Sequence, residues 1–165
     1  MEFEERLQRA IQRGYGRGDA RRAEAAAKQM SEDELRTLHT KYRLSLSEKI
    51  ESCIQGLPNH IPGFQYETIY GERGWGAAIS RDDIEMERGG KRNNQYSRLE
   101  MTIRPFSSAH VLDLAAKGTV RNREIYNRNH YEKLEEADDE NFAELIDLWI
   151  LEYAEIFAIN WSNSG

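Results

Sequence analysis

Lys117, Arg121, Arg123, Arg128 and His130 stand in one short stretch, interleaved with Tyr126, Tyr131, Asn122, Asn127 and Asn129. Cations attract phosphate, amides donate to it and aromatic faces stack on bases, so this set has the chemistry of a site for a phosphorylated ligand or RNA. In extended geometry Arg121 and Arg123 share a face with Asn127, Asn129, Tyr131 and Lys133, while Val120, Asn122, Glu124 and Tyr126 take the other. Charge sets the competing reading. Residues 91–133 hold nine Lys/Arg against four Asp/Glu, and residues 134–165 hold nine acids and no base. The cations then serve to offset Glu135, Glu136, Asp138 and Asp139, or to pair with the outer side of the last helix. A net charge of −6 and an isoelectric point near 5.3 favour this intramolecular use, because nucleic-acid binders are more often basic.

A second set is acidic: Asp82, Asp83, Glu85 and Glu87, with Glu67 and Glu100 on neighbouring strands. Carboxylates on adjacent strands hold Mg²⁺ or share a proton. A strand nuclease adds a lysine two residues after an acid, and Glu100-Met101-Thr102 has none. A solvated hairpin whose charges blunt a strand edge accounts for the cluster. His39, His60, His110 and His130 have no His or Cys partner at metal spacing, and a lone Cys53 supplies no sulfur set, so no metal is expected. His39 falls on an apolar stripe, as a hydrogen-bonded core histidine does, and Cys53 at the centre of that stripe reads as an inert buried thiol. Gly14-x-Gly16-x-Gly18 has Asp19 where a dinucleotide loop needs its last glycine, and Gly74-Trp75-Gly76 opens a strand. There is no phosphate-loop Gly-Lys-Ser/Thr and no Gly-x-Ser-x-Gly elbow. No recognisable catalytic motif and no cofactor signature results, which argues against an enzyme. Were the chain an enzyme, the space between sheet and final helix would be its natural pocket.

The elements that position these residues read as follows. Leu7, Ala10 and Ile11 mark one helical stripe and Ala20, Ala23, Ala27 and Met30 an opposed one, which predicts a helix broken at Gly14 to Gly18 and restarted by Asp19 as cap. Ser31 and Glu34 have capping-box spacing and open a helix with Leu35, Leu38, Tyr42, Leu46, Ile50, Cys53 and Leu57 on one side, stopped by Gly56 and Pro58. Period two then takes over. Phe64, Tyr66, Thr68 and Tyr70 alternate with Gln65, Glu67 and Ile69, and a second strand runs from Trp75 past an irregularity at Asp82-Asp83 to Met86. Gly89-Gly90 turns the chain into a third strand through Leu99, Met101 and Ile103. Residues 107–118 fit a strand or a short helix capped by Ser108; a strand is favoured because a three-stranded sheet wants a neighbour. A last helix over 138–159 places Phe142, Leu145, Ile146, Trp149, Tyr153, Ile156 and Phe157 on one side. Leu148, Leu151 and Ile159 fall outside that stripe among Glu144, Asp147 and Glu155, which suggests either burial on a second side or contact with another chain.

The reading is an α+β fold in one domain over 1–165: helical 1–57, a four- to five-stranded antiparallel sheet over 64–133, and a long C-terminal helix packed with the N-terminal helices on one face. Its element order is similar to that of small α+β secretion-chaperone and Aha1-like domains; with no shared motif, the similarity implies an architecture and no function. No run is apolar enough for a membrane span, and Met1 to Glu5 lacks a signal-peptide pattern, so a cytoplasmic protein without membrane partners is expected. The functional expectation is a non-catalytic protein-binding or adaptor domain, self-associating as a homodimer or seated on a partner through Leu148, Leu151 and Ile159 and the sheet edge. The alternative is a binder of a phosphorylated ligand or RNA through 117–133.

Overall fold

A computed structural model describes residues 2–28, 30–86 and 88–162. The chain divides into two compact units, residues 1–35 and 36–165. In the first, α1 runs unbroken over Phe3–Lys28, contrary to the expected break at the glycines. Gly14, Gly16 and Gly18 are not among the residues with positive φ, so they weaken the helix without ending it. Leu7 and Ile11 are each nearly half exposed, so no core forces one apolar stripe on this helix, and the change of side does not require a break. Asp19 pairs with Arg22 one turn on and caps nothing.

Helix α2, Glu32–Gly56, starts where the sequence places it. The Glu34 N–H donates to Ser31 Oγ at 3.1 Å, and the Ser31 hydroxyl donates to Glu34 Oε1. Its buried line is Leu46, Ile50 and Ile54, four residues apart. Cys53 lies at the margin of that line and is only part buried, a correction to its central placement.

Five strands follow: β1 Gln65–Ile69, β2 Trp75–Met86, β3 Arg92–Ile103, β4 Val111–Val120 and β5 Arg123–Lys133. They form one antiparallel sheet in chain order, so the favoured strand at 107–118 forms as β4. The β2–β3 register is continuous from Trp75 opposite Ile103 to Met86 opposite Arg92, with no irregularity at Asp82-Asp83. The shift falls instead at Gly118/Thr119, between β4 and β5. Alternation also fails at the end of β1, where Ile69 is buried and Tyr70 exposed, because the chain leaves the sheet there and turns at Gly71 with φ +102°.

Helix α3, Asp139–Ser162, is capped by Asp138, whose Oδ1 accepts the Glu140 N–H at 3.0 Å. The core of the second unit is one layer of aliphatic sheet residues under two helices. Ile79, Leu99, Met101, Ile103, Leu112 and Leu114 meet Ile50 and Ile54 of α2 and Phe142, Ile146 and Tyr153 of α3, all fully buried. The opposite face of the sheet carries Glu67, Arg98, Glu100, Lys117, Asn127 and other polar side chains. No described helix is long and apolar enough to cross a membrane.

Candidate functional site

One of the seven candidate cations and aromatics, Arg121, sits on a turn, and the rest lie on β4 and β5. Arg121 has φ +49° and Asn122 φ +69°, which makes them the two central residues of a tight β4–β5 hairpin. The expected continuous extended face from Arg121 to Lys133 is therefore interrupted: Arg121 belongs to the turn, and β5 begins at Arg123. Tyr126, Arg128 and His130 point toward α3, while Tyr131 and Lys117 point to the open face. Arg123 is exposed at the strand start.

Most of these charges are met nearby. Arg128 pairs with Glu152 of α3 and its guanidinium carbon lies over Tyr126, 4.1 Å from the ring centroid. His130 Nε2 lies 2.7 Å from Glu132 Oε2, and its ring meets Phe142 edge-on at 5.2 Å. Burial would raise the Glu132 pKa; hydrogen bonds from His130, Asn141 Nδ2 and the Asp138 N–H outweigh it and leave the carboxyl below its ordinary value. Arg121 approaches Glu85 at 4.0 Å. Burial pushes the Tyr126 and Tyr153 hydroxyls well above the usual tyrosine range, so both remain donors, to the carbonyls of Trp149 and Thr119.

The acidic set is equally engaged. Asp82 accepts from Asn94 Nδ2 at 3.0 Å, Asp83 from Arg81 Nε at 2.9 Å and Glu85 from Gln95 Nε2 at 3.4 Å; Glu87 lies outside the described residues. Glu67 pairs with Arg98, and Glu100 with Arg73. Among the described residues no three His, Cys, Asp or Glu groups are placed to hold a metal ion.

His39 is buried and its Nε2–H donates to the Arg104 carbonyl at 3.0 Å, which fixes the tautomer. Burial lowers its pKa against the opposing pull of that bond. Burial also raises the Cys53 thiol pKa, beside Asp147, which favours the protonated form. The space between α3 and the sheet is filled at Gly118, where an added Cβ would lie 3.0 Å from Tyr126 and 3.1 Å from Tyr153.

Two surfaces among the described residues bear on function. On α3, Leu148, Leu151 and Ile159 are 52, 64 and 53% exposed. At about 100° per residue they fall within roughly 80° of one another, together with Glu144 and Glu155. On the open face of the sheet, a depression of about 410 Å³ lies among Arg73, Glu100, Thr102, Arg104, Lys117 and Asn127. Sequence reading found the first surface from the helical wheel and missed the second, whose residues come from different strands. No family model matches the chain, nor does any curated protein or solved structure.

Proposed function

We propose that this is a non-catalytic protein-binding domain whose docking surface is the outer side of α3. The observation that carries the reading is the row of Leu148, Leu151 and Ile159, each more than half exposed on a helix whose opposite side is already buried in the core. Large aliphatics gathered on one side over about 16 Å of helix are costly to leave in water and repay cover by a partner. Charge defines that partner. Residues 134–165 hold nine acids and no base, so a symmetric pairing of two α3 helices would set Glu144 and Glu155 against like charges. A partner helix with basic residues flanking its own apolar row fits better.

Self-association has a separate route in the same reading, through β5, an edge strand of eleven residues. One cysteine in 165 residues fits a reducing compartment such as the cytoplasm. The test is to compare the chain with Leu151→Asp by sedimentation at high concentration and by affinity capture. Proteins retained by the native chain and lost by the variant support the reading. A monomer that retains the same proteins with either residue at 151 overturns it.

A further inference from the structure

The depression on the open face of the sheet is built by register. Thr102 of β3 stands opposite Ala115 of β4, and this low row lies between Glu100 with Lys117 on one side and Arg104 with Asp113 on the other. Asn127 of β5, opposite Lys117, and Glu72 with Arg73 of the β1–β2 turn close the ends.

The charges of this hollow are unequal. Arg73 pairs with Glu100, and Arg98 stands 3.8 Å from the same carboxylate, so the Glu100 charge is met twice. Asp113, beside Arg104, accepts from Asn129 Nδ2 at 3.1 Å. Glu72 is the other acid of the lining, against Arg73, Arg104 and Lys117. Among the described residues neither Lys117 nor Arg104 has an ion pair. In a chain of net charge −6 this leaves a locally positive hollow with further donors in the Thr102 hydroxyl and the Asn127 amide. Its volume lies in the range of small-molecule sites, but its polar walls suit a charged ligand.

We propose that the hollow binds a small organic oxyanion, a phosphate monoester or a polycarboxylate, with Lys117 and Arg104 as charged clamps and Asn127 and Thr102 as directional donors. The site lies on the opposite face of the sheet from α3 and shares no residue with the α3 docking surface, so either reading can fail alone. Of the sequence candidates, Lys117 and Asn127 from the basic stretch and Glu100 from the acidic set line it.

The test is an amide correlation spectrum of the full ¹⁵N-labelled chain, titrated at constant ionic strength with glycerol 3-phosphate, citrate and inorganic phosphate, and with chloride as reference. Saturable shifts confined to the amides around 73, 102, 116 and 127 are expected for glycerol 3-phosphate if the ligand is a phosphate ester, or for citrate if it is a polycarboxylate. Lys117→Gln is expected to weaken binding about tenfold and Lys117→Arg to restore most of it. Lys117 is exposed, and unchanged peaks elsewhere in the spectrum show that the variants fold. Shifts that do not saturate, that follow chloride, that occur with inorganic phosphate alone, or that survive Lys117→Gln combined with Arg104→Gln overturn the proposal.

Discussion

Asn122 and Tyr96 exchange two hydrogen bonds of 2.8 Å: the Asn122 N–H donates to the Tyr96 carbonyl, and the Tyr96 N–H donates to Asn122 Oδ1. A side-chain amide thus completes a backbone ladder beside β3, and Asn122 Nδ2 adds a bond to the Asn94 carbonyl at 2.7 Å. The neighbouring Arg121 N–H is taken by Ser97 Oγ at 3.0 Å. These bonds offset the cost of two left-handed residues at the hairpin, a conformation asparagine tolerates and arginine does not favour.

Substitution at this turn separates backbone from side chain. Asn122→Gly keeps the positive φ but loses the amide bonds, and about 1 kcal/mol of stability is expected to go with them. Asn122→Ala loses the bonds and strains the backbone, for about 2 kcal/mol. Urea denaturation of the two variants beside the native chain measures both. Equal stability of all three would show that the amide ladder contributes nothing.

Arg128 is held as a structural group. Its guanidinium lies 4.1 Å from the Tyr126 ring centroid and 5.3 Å from that of Trp149, pairs with Glu152, and buries a Nε that has no hydrogen-bond partner. A lysine keeps the charge but cannot lie flat on the ring and pair at once. Arg128→Lys is therefore expected to cost about 1 kcal/mol. Glu152→Gln is expected to cost less, since that pair is partly solvated. Thermal melts in low and high salt check the assignment: a loss for Arg128→Lys that disappears in high salt would make the ion pair, and not the stacking, the dominant interaction.

His39 makes stability depend on pH. Its folded pKa lies below the ordinary 6.5, so between these values the unfolded chain takes up a proton that the folded chain refuses. Stability then falls as pH drops below 6.5 and levels off once the folded pKa is passed. Glu132 acts in a lower window: its folded pKa is depressed from 4.5, so its contribution is present above that value and lost as pH falls through the folded one. Urea midpoints at pH 7.5 and 5.5 are expected to differ, and the difference to shrink in His39→Gln, whose amide can still donate to the Arg104 carbonyl. An unchanged difference in that variant would assign the pH effect to other groups.

The elements whose period repeats several times were legible in the sequence. The buried stripe of α3 from Phe142 to Phe157, the alternation of Leu99, Met101 and Ile103, and the Ser31–Glu34 cap each follow from spacing alone. What escaped depends on contacts between distant positions. Arg121 and Asn122 look like strand residues until β3 is placed beside them to receive their hydrogen bonds. The hollow draws Arg73, Arg104, Lys117 and Asn127 from the β1–β2 turn and from β3, β4 and β5, so no sequence window contains it. Glycine misled for a different reason. It lowers helix propensity by about 1 kcal/mol, which is a weak preference and not a stop.

That weakness is measurable in α1. Gly14 and Gly16 sit in helical backbone, and a Cβ built on either meets nothing within 4 Å. Alanine at these positions therefore adds helix propensity with no steric cost, roughly 1 kcal/mol each, partly through the narrower unfolded ensemble. With no aliphatic row buried around Leu7 and Ile11, packing contributes little to this helix, and propensity should decide how much of it forms at a given temperature. Gly14→Ala with Gly16→Ala is expected to raise helical circular dichroism and to shift its first loss on heating upward. If the chain instead broke at Gly14 to Gly18, the alanines would force a helix where a turn is needed, and the same pair would leave the signal unchanged or lower it.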